Sequence, residues 1–141
     1  METSRTLEGK LGWPGSLVKH FESELRVHFS DAWITRYDHW TQRVANDPKD
    51  RHVLAAAVHA RAPIILTFNL RHFRAEHLAP WGIAALHPQH FLDELFNQEP
   101  QLVLQKLEEQ AIDRNRSLGK LLEILSATVP HFVSAIQARL R

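Results

Sequence analysis

Residues 47–73 read Asp-Pro-Lys-Asp-Arg-His-Val-Leu-Ala-Ala-Ala-Val-His-Ala-Arg-Ala-Pro-Ile-Ile-Leu-Thr-Phe-Asn-Leu-Arg-His-Phe. Asp47 has a short side chain able to accept from free backbone N–H groups, and Pro48 has a φ already suited to a first helical turn, so a helix is expected from about 48 to 60. The run Ile64-Ile65-Leu66-Thr67-Phe68 is apolar without alternation, the pattern of a strand covered on both faces in a parallel sheet. In α/β sheets ligands gather outside the carboxyl ends of the strands, where helix N-termini also point. Asp50, at the start of the helix, and Thr67 and Asn69, at the end of the strand, are expected to converge on that rim.

Working outward, Ser16 reads as an N-cap for a core-facing helix with Leu17, Phe21, Leu25 and Phe29 on one stripe, ending near Ser30-Asp31. Residues 32–35 read as a short strand, followed by a brief helix through Trp40 to Val44. Residues 83–86 read as a third strand after the Pro80-Trp81-Gly82 turn. Beyond Pro88 the pattern is helical. Segments from Pro88 to Phe96 and from Pro100 to about Asn115 are followed by a Ser117-capped segment with Leu118, Leu121, Leu122 and Leu125 on one face, and by one carrying Val129, Phe132, Val133, Ile136 and Leu140. Strands alternating with helices give an α/β class. Three regions are expected: a loosely held start over 1–15, an α/β domain over 16–98, and a helical extension over 99–141 packed on the sheet or on a partner.

The 141 residues, 44% hydrophobic and 23% charged, match an ordinary globular chain able to bury a core. With no cysteine, thiolate zinc sites, disulfides and cysteine nucleophiles are excluded, and a reducing cytoplasm is the expected compartment. No apolar run has the length of a membrane span, so no membrane partner is expected. A formal net charge of +1 neither requires nor forbids a nucleic-acid partner, which leaves any such contact to a local patch.

The segments 47–57 and 65–73, continued through Gly82-Ile83 and His87-Pro88-Gln89-His90-Phe91-Leu92, resemble in order the second half of a PIN domain, the family that includes VapC-like ribonuclease toxins. The resemblance covers about a third of the chain. It implies a three-layer α/β fold with a short parallel sheet, and carboxylates gathered around Mg²⁺ or Mn²⁺ for RNA hydrolysis; hard cations take oxygen ligands, and a metal beside the phosphate supplies hydroxide and stabilises charge. It places Asp50 among the metal ligands with Asp47 beside it, and Thr67 and Asn69 among the polar residues that orient water or metal. The acid expected next falls at His72, a weak ligand for Mg²⁺. No hydrophobic strand ending in Asp reads out of residues 1–17, so the resemblance is to a truncated PIN domain lacking its N-terminal part. The missing acids are then expected from another chain or from Glu22 or Glu24. An incomplete sheet leaves an edge that invites a homo-oligomer or a complementing polypeptide. In a toxin–antitoxin pair the partners implied are RNA and an antitoxin.

Two functions follow from these expectations: a PIN-like divalent-metal ribonuclease, or a non-catalytic PIN-like remnant that oligomerises or binds a partner. Simpler roles stand beside the catalytic ones. Asp47 serves as a helix cap, Asp50 as a partner of the helix dipole, and Thr67 and Asn69 as hydrogen-bonding residues at a strand end. Arg51, Arg71 and Arg74 flank the rim, where they contact phosphates or remain solvated. His87 and His90 with Asp93 or Glu94 sketch a zinc set, weakened by Pro88 between the first two. The tryptophans read as core or interface anchors before base-stacking platforms.

Overall fold

A computed structural model describes residues 7–9 and 12–141 of the chain. The expectation of a loosely held start falls in part on residues 1–6, 10 and 11, which lie outside the described residues. Two compact units emerge, Met1–Arg36 and Tyr37–Arg141.

The first unit is built on helix α1 (Gly15–His28). Pro14, with φ −56°, stands at its N-cap without a side-chain cap, so Ser16 lies inside the helix and not at its mouth. The buried stripe is set by Val18, with Phe21 and Leu25 half-buried beside it, while Leu17 and Phe29 are exposed. The expected stripe is off by one position at its start, and Phe29 falls past the last helical turn. Phe21 meets Trp13 edge-on at 6.1 Å. Residues 32–35 do not form the expected strand. A 3₁₀ turn occupies Ser30–Ala32, Arg26 stacks its guanidinium 3.9 Å over the Trp33 ring, and Arg36 takes a left-handed φ of 62°. An aromatic held under a cation from the preceding helix, followed by a left-handed residue, leaves no extended run to pair.

The second unit begins with a 3₁₀ turn, Asp38–Trp40, and the brief helix expected through Trp40 to Val44 is a turn over residues 41–43. Trp40 packs edge-on against Trp81 at 5.6 Å. The Asp47 Oδ1 accepts the Lys49 N–H at 3.0 Å, and the 3₁₀ turn Pro48–Asp50 leads into α2 (Arg51–Ala60). The helix therefore starts where the Asp-Pro signal places it, with its first turn tightened. It buries Leu54, Ala55 and Ala57. It stops at Arg61, whose left-handed φ of 54° lets Ala62 N–H return to the Ala57 carbonyl.

Strand β1 (Ile64–Leu66) pairs in parallel with β2 (Ala84–Leu86) in the register Ile64 to Ala84, Ile65 to Ala85 and Leu66 to Leu86. Between them run a 3₁₀ turn (Leu70–His72), the short helix α3 (Ala75–Leu78) and a turn closed by Gly82 at φ +65°. A parallel pair requires such a crossover. Ile65, Phe73, Leu78 and Ile83 join Val44, Leu54 and Ala57 in the core behind the sheet. Among the described residues the sheet has two strands.

The remaining helices are α4 (Pro88–Gln98), α5 (Pro100–Asp113), α6 (Leu118–Leu125) and α7 (Pro130–Arg139). Prolines open three of them, and Ser117 caps the fourth by accepting the Lys120 N–H at 3.2 Å. Phe96, Leu107, Ala111, Leu121, Leu122, Phe132, Val133 and Ile136 bury into a common core, with Phe96 and Phe132 edge-on at 6.1 Å. The helical region thus has a core of its own. Among the described residues no helix is long and apolar enough to cross a membrane.

Candidate metal centre

The rim at the carboxyl end of β1 is assembled by three short local structures. Asp47 and Asp50 lie on the capped entry to α2. Beyond β1, Thr67 continues the ladder by donating its N–H to the Leu86 carbonyl, and its Oγ1 accepts the Asn69 N–H at 3.0 Å. That small turn feeds the 3₁₀ turn that carries His72, and the buried Phe73 anchors it from below.

Asp47, Asp50 and His72 consequently come together, each offering one ligand atom within 4.8 Å of the others. The Asp50 Oδ2 lies 2.5 Å from His72 Nδ1, and the Asp47 Oδ2 lies 3.9 Å from His72 Nε2. Asp47 thus caps the helix with one oxygen and presents the other to the imidazole. Asn69 places its Nδ2 at 2.6 Å from His72 Nδ1, and Arg71 Nε donates to the Asn69 Oδ1 at 3.1 Å, which fixes the orientation of the amide. The three prospective ligands are partly exposed, so a solute has access to them.

Asp47 and His72 open onto a recess of about 250 Å³ lined also by Asn46, Arg51, Arg71, Arg74 and His77, among others. Arg51 Nε donates to the Asn46 carbonyl at 3.2 Å and so braces the loop ahead of α2. The Asn46 side chain is 1% exposed, yet neither its Oδ1 nor its Nδ2 has a hydrogen-bond partner. The Nδ1 of His77 is likewise buried and unpartnered. Buried polar atoms are almost always paired, so these two residues stand out among those lining the recess.

Of the residues the sequence nominated, the structure brings Asp47, Asp50 and Asn69 to the centre, and sets Thr67 one step back, where it holds the Asn69 turn. His72 stands within the donor set at the position where an acid was expected. Asn46 was not singled out; an Asn before an Asp-Pro cap carries no signal of burial. The imagined zinc set at His87 is otherwise engaged: His87 Nδ1 accepts the Gln89 N–H as a helix cap, and Asp93 Oδ2 pairs with His131 Nδ1 at 2.9 Å.

A short parallel sheet with an acid and imidazole group at its carboxyl rim defines an α/β protein with a candidate divalent-cation centre. Comparison with known proteins finds 39% identity over 133 residues, 92% of this chain and 77% of the relative, to the protein named Putative ribonuclease VapC50 of Mycobacterium tuberculosis. The chain belongs to the VapC-like PIN-domain family. No family model matches it, and no solved structure does.

Proposed function

We propose that this protein is a VapC-type ribonuclease that hydrolyses RNA phosphodiesters with a divalent cation, Mg²⁺ or Mn²⁺, at the rim of β1. The observation that carries the reading is the meeting of Asp47, Asp50 and His72 in a chain of this family. The donor set fits a divalent cation, since two carboxylates and an imidazole converge. When bound there, the cation supplies Lewis acidity and lowers the pKa of a water. The chain's own residues hold the centre and the substrate. Asp50 steadies His72, Thr67 and Asn69 fix the turn that presents it, and Arg71 and Arg74 line the recess where a phosphate carries its charge.

Regulation in this reading is by an antitoxin polypeptide, and a second copy of the chain or that polypeptide covers the exposed apolar residues of β1. Ile64 and Leu66 are exposed there, with Phe68 just past the strand. The same exposure favours the second reading, a non-catalytic member of the family that acts by binding a partner.

The deciding experiment is cleavage of an end-labelled single-stranded RNA by the purified chain with Mg²⁺ or Mn²⁺, alongside Asp50→Ala and a chelator control. The ribonuclease reading predicts cleavage that the chelator and Asp50→Ala both bring to background. Intact RNA with every cation, from a chain shown to be folded, leaves the partner-binding reading.

A further inference from the structure

We infer that one end of the helical region is a second surface for single-stranded RNA, where Arg114, Arg116, Arg139 and Arg141 contact phosphates and the apolar floor between α6 and α7 takes a base. In the ribonuclease reading, on which the choice of RNA rests, the rim cuts the strand and this surface holds it.

Between residues 88 and 141 the chain carries two lysines and four arginines. Both lysines are neutralised on their own helices, Lys106 by Glu109 at 2.7 Å and Lys120 by Glu123 at 2.8 Å. None of the four arginine side chains is hydrogen-bonded, ion-paired or stacked among the described residues, and all four are exposed.

The fold collects these free cations at one end. Arg114 closes α5, and Arg116 follows Asn115, whose left-handed φ of 50° turns the chain into α6. Helix α7 returns along α6, so that Leu140 and Arg141, just past its last residue Arg139, meet Leu118 and Gly119 at the opening of α6. The other end of α7 is tied to the first turns of α4, where the His131 N–H donates to the Gln89 Oε1 and the His131 ring pairs with Asp93. A helix of 10 residues is about 15 Å long, which separates the arginines from the corner where α4 leaves β2.

Charge and shape together point to the partner. Basic groups at helix C-termini complement the helix dipole, which accounts for Arg114 and Arg139 but not for Arg116 and Arg141, which lie beyond the helices. Asp113 is the unpaired acidic side chain beside them, since Glu123 is taken by Lys120. Such an excess of guanidinium groups suits a polyanion, and their planar forks match phosphate oxygens better than a lysine's point charge does. Between α6 and α7 a shallow recess of about 450 Å³ is lined by Leu118, Leu122, Leu140 and Arg141, among others. An unstacked base fits an apolar floor beside a guanidinium, and single-stranded RNA offers such bases. Leu140 is the exposed leucine of the three, at 50%, which is too little apolar surface for a helix to lie in a bilayer.

The test measures binding of a labelled single-stranded RNA to the full chain by fluorescence anisotropy across a salt series, in chelator so that nothing is cut. Arg116→Gln combined with Arg141→Gln, its fold checked by circular dichroism, should bind more weakly. It should also reduce the slope of log affinity against log salt by about 1.4, since each single-strand phosphate contact contributes about 0.7. Lys106→Gln removes charge at a paired position and should leave the slope unchanged. Leu140→Ser should weaken binding without moving the slope. An unaltered affinity in either the arginine variant or Leu140→Ser overturns the inference, as does a natural chain that does not bind RNA. Anionic vesicles bound by the natural chain and released by the arginine variant, with RNA binding unmoved, assign the surface to a membrane and overturn it as well. Binding that depends on these arginines in a chain that leaves RNA intact with Mg²⁺ or Mn²⁺ keeps this inference and loses the ribonuclease reading. Cleavage by a chain whose binding ignores them does the reverse.

Discussion

The two cores of the unit Tyr37–Arg141 are built to different degrees of closure. The helices α4 to α7 turn their apolar stripes toward one another, and residues such as Phe132 and Ile136 are at most 2% exposed. Among the described residues the two faces of the sheet are unequally covered. Along β1, Ile65 is 6% exposed while its neighbour Leu66 is 46% exposed, and Phe68 beyond it is 62% exposed. A two-stranded parallel sheet is unusual standing half bare, since such sheets normally have both faces covered. The helical region has the makings of an independent stable core, and the sheet region has a candidate site at one rim and an apolar face with no cover among the described residues.

The largest effect is expected where closure is complete. Phe132→Ala removes a ring packed against Phe96 and should destabilise the protein by about 3–5 kcal/mol in urea unfolding followed by circular dichroism. A loss below about 1 kcal/mol, the scale of an average substitution, means that the helical core relaxes around the cavity and is less closed than its burial implies. Because two cores are present, the unfolding curve also shows whether they melt together; a separate transition for the helices would sharpen the contrast further.

Within the sheet region the contrast runs along one strand. Ile65 points into the core with Leu54, Phe73 and Leu78, so Ile65→Ala should cost about 2–5 kcal/mol, whereas the alternate positions should be nearly silent. Equal costs at Ile65 and Leu66, read in the same unfolding assay, would mean that both faces are covered in solution.

Parts of this organisation are legible in the sequence for physical reasons. The Asp-Pro cap, the apolar run after it and the proline-opened helices are local signals, and α2, β1 and α4 to α7 appear where those signals place them. What fails is what depends on context. Residues 32–35 have strand-like composition, yet a guanidinium from the preceding helix holds Trp33, and a short segment without a pairing partner does not become a strand. The α1 stripe shifts because Pro14, and not Ser16, sets the first turn. At the site, the placing of Asp50 and Asn69 on one rim was readable from a helix start and a strand end that share it. The pairing of His72 with both aspartates was not, since it depends on a 3₁₀ turn after β1 whose formation no single residue announces. Asn46 was illegible for a simpler reason: burial of one amide is a property of the finished packing.

The smallest expected effect on stability is also the most informative about the bare face. Phe68 is 62% exposed and makes an edge contact with His87 at 5.0 Å, so Phe68→Ser should change the unfolding free energy by no more than about 0.5 kcal/mol. If the face is the seat of a second copy or of a regulatory polypeptide, the same substitution removes apolar area from that contact and weakens association without touching the fold. Sedimentation across a concentration series, run on the natural chain and on Phe68→Ser, separates the possibilities. Association present in the first and lost in the second locates the interface at β1. Identical sedimentation shows that copies of the chain do not meet there, and a stability loss well above the expected bound shows that Phe68 is already buried within one chain in solution, which would remove the asymmetry between the two cores.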